Sequence, residues 1–172
     1  MNHRHAELIR AMVDYDRGDP MRIHHFLKVH DLAAAIGTLE GLDPETQFIL
    51  ETAAILHDIG IHVSEKKYGS SNGKYQEQEG PAEAEKLLRG LGGYTEAQIG
   101  RVKYLVAHHH TYGNMDGLDY QVLVEADFLV NLYEDHESPE TVANVRQKIF
   151  KTATGTRLLD DLYAPERKQV LT

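Results

Sequence analysis

The sequence predicts an all-α fold. Apolar residues recur at helical spacing along almost the whole chain, strand signals are scarce, and helix stops and starts punctuate it at "GDP", "GLDPET" and "GYTEAQ". At 172 residues the chain is expected to form one domain, with a core over 20–135 and C-terminal helices over 139–163 packed on it. Leu8, Ile9, Met12 and Val13 place a first helix over 5–17, ended by "GDP". A second runs over 22–40 with Val29, Leu32 and Ile36 on its inner face. Asp43 and Pro44 suit the N-cap and first turn of a third, over 44–59, which stops at Gly60. The polar run 61–80 reads as a long loop, and Pro81 as the first turn of the next helix. Thr95 is the expected N-cap of a helix carrying Ile99, Val102, Leu105 and Val106. Further helices are expected over 119–135, 139–153 and 156–163, with Thr152 and Thr156 as caps or packing residues.

Composition narrows the function. A net charge of −9 argues against broad binding of polymeric nucleic acid and of anionic membranes. No cysteine is present, so disulfides and thiolate metal sites are excluded. No apolar run approaches the ~20 residues of a membrane span, and "MNHRHAELIR" has no signal-type apolar segment, so a cytoplasmic location is expected. The unusual feature is histidine, at 11 residues. Histidine is the commonest metal ligand and the usual acid or base near neutrality.

Three helices put polar groups where apolar ones belong. The most hydrophobic, "ETAAIL", runs directly into His57 and Asp58. An isolated His-Asp pair also fits a helix-ending aspartate beside a half-buried histidine. On the second helix, His25 shares a face with Arg22, Val29, Leu32 and Ile36, whereas His24 and His30 fall at the edge or in solvent. In "VLVEADFLVNL", Asp127 lies on the stripe of Tyr120, Leu123 and Val130. Burying imidazole beside carboxylate is costly unless something compensates, and a divalent cation does so.

The segments "RIHHFLKVHDLAAAI", "AAILHDIG" and "VEADFLVNL" resemble the HD-domain superfamily of metal-dependent phosphohydrolases, over residues 20–135, and within it a small bacterial branch. The resemblance implies a helical bundle and one metal ion held by His25, His57, Asp58 and Asp127. Manganese, iron, cobalt, nickel and zinc all suit that donor set. Members with a second metal carry a histidine where this chain has Gln76, so one metal per chain is expected. Asp58, His109 and His110 are the expected catalytic residues: Asp58 to orient water, and a histidine of "HHH" to stabilise charge or protonate the leaving alcohol. The triplet also fits a solvated helix end. Phosphate contacts are expected from Arg22, His62, Lys66, Lys67 and Lys74, although "EKK" also reads as an exposed charge run. The implied activity is hydrolysis of a small phosphate ester, the partner being a phosphorylated metabolite or nucleotide. A guanosine tetraphosphate hydrolase is disfavoured, because Gly60–Ile61 stands where those relatives carry an acidic pair. Two alternatives are a di-iron oxygenase and a non-catalytic ligand-binding module that keeps its metal for stability.

Overall fold

The structure, a computed structural model, describes residues 2–164. Among these, the chain forms helices only: α1 (His3–Tyr15), α2 (Pro20–Leu39), α3 (Pro44–Leu56), α4 (Ile61–Tyr68), α5 (Gly73–Leu91), α6 (Glu96–Val106), α7 (Leu118–Glu134), α8 (Pro139–Lys148) and α9 (Ala153–Leu162). No described helix is long and apolar enough to cross a membrane.

α3 is the axle. Leu50, Ala53, Ala54, Ile55 and Leu56 are fully buried although they point in every direction around it, so the helix is enclosed by neighbours on all sides. α1, α2, α6 and α7 pack against it, α2 also packs on α7, and α5 bridges α4 and α6. Asp43 caps α3 by accepting from the backbone of Glu45 and Thr46 at 3.0 and 3.1 Å, with Pro44 in the first turn. Thr95 and Gln98 cap α6 reciprocally. Both starts are as the sequence predicts.

The run 61–80 is not a loop. It holds α4 and the first turns of α5, and only the short stretch around Gly69–Asn72 is non-helical. The inner stripe of α5 is Gln76, Gly80, Ala84 and Leu88, spaced every four residues. Glutamine and glycine serve there as core residues, so apolar periodicity does not reveal the turns of the helix before Pro81. Gly80 and Gly60 let α5 approach the end of α3: a Cβ on Gly60 would lie 2.6 Å from the Gln76 carbonyl oxygen and 2.8 Å from the Gly80 nitrogen. Pro81 consequently sits inside α5 rather than at its start. The preceding Gly80 has no Cβ to clash with the proline ring, which relieves the usual conflict.

α8 ends at Lys148, short of the expected 153. The fully buried carboxylate of Glu125 on α7 draws the chain out of helix by accepting from the backbone of Lys151 and Thr152, at 2.6 and 2.9 Å. Thr152 also donates its hydroxyl to Glu125 and caps α9. α9 then returns to α7 and α2.

The glycine contacts give a paired expectation. Gly60→Ala should lower stability by about 2–3 kcal/mol, because backbone rather than a flexible side chain must yield. Gly100→Ala, on an exposed helix position with nothing within 4 Å, should raise it by roughly 0.5–1 kcal/mol. Urea unfolding of the two variants checks both.

Candidate metal centre

The ends of α3 and α6 set the chemistry. The last carbonyls of a helix have no intrahelical donor. His57 donates Nδ1–H to the Ala54 carbonyl, and His109 donates Nδ1–H to the Val106 carbonyl, each at 2.8 Å. A carbonyl can only accept, so in the neutral form of each ring the proton is on Nδ1 and the Nε2 lone pair faces inward. On α2, His25 Nδ1 lies 2.8 Å from Glu134 Oε2, which turns its Nε2 lone pair inward as well.

Those lone pairs meet carboxylates. His25 Nε2 lies 3.1 Å from His57 Nε2, 3.2 Å from Asp127 Oδ1 and 3.5 Å from Asp58 Oδ2. His57 Nε2 lies 3.4 Å from Asp58 Oδ2 and 3.5 Å from Asp127 Oδ1. Asn131 donates to Asp127 Oδ1 at 2.9 Å. His57 and His109 are wholly buried, and His109 Nε2, without a hydrogen-bond partner, faces Asp58 Oδ1 at 3.5 Å. Acceptors that close repel one another unless a cation or protons lie among them. The donor set, two imidazole nitrogens and two carboxylates, fits a divalent transition metal.

Electrostatics show the protonic alternative. Burial alone would lower His57, but the charge of Asp58 and the bond to Asp127 outweigh it and hold the ring well above its ordinary value. His25 is raised in the same way, burial being outweighed by Asp127 and Asp58. Burial favours the neutral form of Asp58, yet the His57 charge holds it well below the usual carboxylate range. Asp127 is also lowered, by His25 and His57 against its burial.

The centre forms the wall of a cleft of about 370 Å³, lined by Arg22, His25, Asp58, Gln76, His110 and Glu134 among others. The structure thus brings together His25, His57, Asp58, Asp127, His109 and His110. Arg22 reaches the same cleft, tied to Asp19 at 3.0 Å, Glu65 at 2.6 Å and His62 Nδ1 at 3.0 Å. His62 does not line the cleft; its Nε2 lies 3.0 Å from Asp16, so it braces Arg22 instead. Lys66, Lys67 and Lys74 do not line the cleft. Lys67 pairs with Glu79, and Lys66 and Lys74 are exposed outside the cleft, because 61–80 folds as helices whose lysines face solvent.

His109 is likewise absent from the cleft lining, whereas His110 is part of it. Gln76 donates Nε2–H to the Ser71 carbonyl at 2.7 Å, leaving Oε1 to face His110 Nε2 at 3.4 Å. Burial and the neighbouring His109 push His110 down to about 4, so it is neutral at pH 7. Glu134 and Asn131 escape a residue-by-residue reading, although their signal exists: with Asp127 they fall at i, i+4 and i+7 on one face of α7.

The chain matches the family model of the HD domain over residues 22–153. It belongs to the HD-domain family, a superfamily of metal-dependent hydrolases whose domains bind divalent metals. Its fold is similar to a crystal structure described as a predicted HD superfamily hydrolase from an uncultured Thermotogales bacterium, with a TM-score of 0.66 and 24% identity, over 92% of this chain and 84% of that one. No curated protein matches the chain.

Stability should respond to pH in opposite senses with and without metal. Folded-state values above 6.5 for His25 and His57 contribute stability that is complete below about 6.5 and lost as pH rises through the raised values. Chelator-treated protein should therefore lose the contribution of these two rings as pH rises above 6.5 and through their raised values. The stabilisation gained from added Mn²⁺ or Zn²⁺ should grow over the same range, since metal competes with those protons. Melting curves at several pH values, with and without metal, check the sign.

Proposed function

We propose that the chain is a metal-dependent phosphohydrolase acting on a small phosphate ester, a phosphorylated metabolite or nucleotide. One observation supports this most: the inward lone pairs of His25 and His57 meet Asp58 and Asp127 at the wall of a cleft whose volume suits a small molecule. A divalent cation held by these four residues would supply Lewis acidity, bringing the pKa of a water towards neutrality and drawing charge from a phosphoryl oxygen.

The chain's own groups divide the remaining work. Asp58 presents Oδ2 to the His25–His57 pair and Oδ1 to His109. It is ionised, so it can orient an attacking water and accept its proton. His109, buried behind Asp58, positions that carboxylate rather than touching substrate. His110 faces the cleft as a neutral imidazole whose Nε2–H points to Gln76 Oε1 across a long 3.4 Å contact, and it would exchange that contact for charge developing on the substrate. Arg22 uses three N–H groups on Asp19, Glu65 and His62, so two of the five a guanidinium carries remain for a phosphate. The other charged residues of the rim, Glu134 and Asp135, are acidic. That disfavours polyanions and leaves the phosphate to the cation and Arg22.

A second reading, a two-iron oxygenase, draws on Asp58 lying between two ligand groups, His25–His57 on one side and His109–His110 on the other. Gln76 opposes it, since its Oε1 can only accept and so favours the N–H form of His110 Nε2. Two irons per chain with near-visible absorbance after aerobic purification would favour that reading.

The test is a screen of metal-stripped protein, reloaded in turn with Mn²⁺, Fe²⁺, Co²⁺, Ni²⁺ and Zn²⁺, against phosphomonoesters and nucleotides. Turnover is expected with at least one metal, and His57→Ala or Asp127→Ala should lower kcat/KM by more than about a thousandfold. Arg22→Ala should raise KM by roughly tenfold with a smaller change in kcat. Absence of turnover with every metal and substrate, in protein shown to be metal-loaded, would overturn the proposal.

A further inference from the structure

A second cluster of metal-ligating side chains lies apart from the centre described above. His5 of α1, His30 of α2 and Glu51 of α3 offer ligand atoms within 4.8 Å of one another. His30 lies five residues beyond His25, about 7.5 Å along the helix axis. Both rings are buried, 0% exposed at His5 and 3% at His30, against the expectation that His30 lies at the edge or in solvent.

The hydrogen bonds fix which nitrogens face the cluster. His5 Nε2 lies 3.1 Å from Thr52 Oγ1 and 3.3 Å from the Phe48 carbonyl. Thr52 donates its own proton to that carbonyl at 2.7 Å, so His5 Nε2 carries a hydrogen and donates. The Asn2 amide nitrogen, which can only donate, lies 3.2 Å from His5 Nδ1 and marks it as the lone-pair atom. That lone pair is nevertheless 2.8 Å from Glu51 Oε2. His30 behaves alike: Nδ1 lies 3.0 Å from Asp31 Oδ1, an acceptor, and Nε2 is buried without a hydrogen-bond partner 3.6 Å from the same Glu51 oxygen. Gln47 donates to Glu51 Oε1 at 2.8 Å, which leaves Oε2 for the two rings.

Two imidazole lone pairs and a carboxylate oxygen thus converge, each ring oriented by an oxygen acceptor behind it, as ligating histidines are. Ligands at about 2.0 Å in a tetrahedron lie roughly 3.3 Å apart, close to the spacings found. We propose that His5, His30 and Glu51 bind a second divalent transition-metal ion, separate from the HD centre, that pins α1 onto α2 and α3. α1 precedes the span matched by the HD-domain model, so the ion would join a helix outside that span to two helices of the bundle. With three protein ligands, a water completes the four-coordinate shell.

The experiment is zinc-edge anomalous scattering from crystals of the full chain soaked in Zn²⁺. A peak among His5 Nδ1, His30 Nε2 and Glu51 Oε2 is expected. No density there under zinc excess overturns the proposal, whether or not the HD centre is filled. Melting curves give an independent reading. In Asp127→Asn protein, which removes a ligand of the HD centre, Zn²⁺ should still raise Tm, and adding His30→Gln should abolish that rise. An equal rise in both backgrounds contradicts the assignment. Loss of metal from the HD centre alone would instead count against the proposed activity.

Discussion

Everything in the HD centre depends on a backbone consequence of helix termination. α3 and α6 end within the protein, and their last carbonyls have no helical donors left to accept from. His57 and His109 fill two of them, at Ala54 and Val106. Each ring is thereby locked in one tautomer, with its other nitrogen directed inward. An imidazole held this way cannot rotate to relieve its lone pair, so the carboxylates of Asp58 and Asp127 face acceptors rather than donors. Protons or a cation must then occupy the centre. The raised histidines and lowered aspartates are the signature of the first, and the family's divalent metal is the second.

The bundle exists to hold those helix ends in register. α3, buried on every side, fixes His57 and Asp58, while α2 and α7 bring His25 and Asp127 from distant parts of the chain. Contact between Gly60 and Gly80 presses α5 against the end of α3 and places Gln76 against His110. Small residues and polar residues thus cooperate: the former set distance, the latter set protonation. The same logic recurs at His5, His30 and Glu51, where side-chain and carbonyl oxygens orient the two rings.

Much of this was legible in the sequence because burial and polarity conflict there visibly. An aspartate amid "VLVEADFLVNL" and a His-Asp pair closing "TAAIL" are conspicuous, and His25 shares a stripe with Val29 and Ile36. The helix starts at Asp43 and Thr95 carry strong local signals. The first turns of α5 are concealed because the buried stripe of Gln76, Gly80, Ala84 and Leu88 begins with residues that hydropathy counts as exposed. His30 was misplaced for a related reason: its burial depends on α1 covering that side of α2, which no periodicity within α2 reveals. The lysines of 61–80 lie outside the cleft because that segment folds as helices, which its polar composition conceals.

The metal centre is built on fixed histidine tautomers, and nitrogen-detected NMR reads them directly. In zinc-loaded protein, long-range ¹H–¹⁵N spectra should show His25 and His57 with the hydrogen on Nδ1 and metal-shifted Nε2 resonances. Spectra that place the hydrogen on Nε2 of His57, unchanged by metal, would contradict that arrangement.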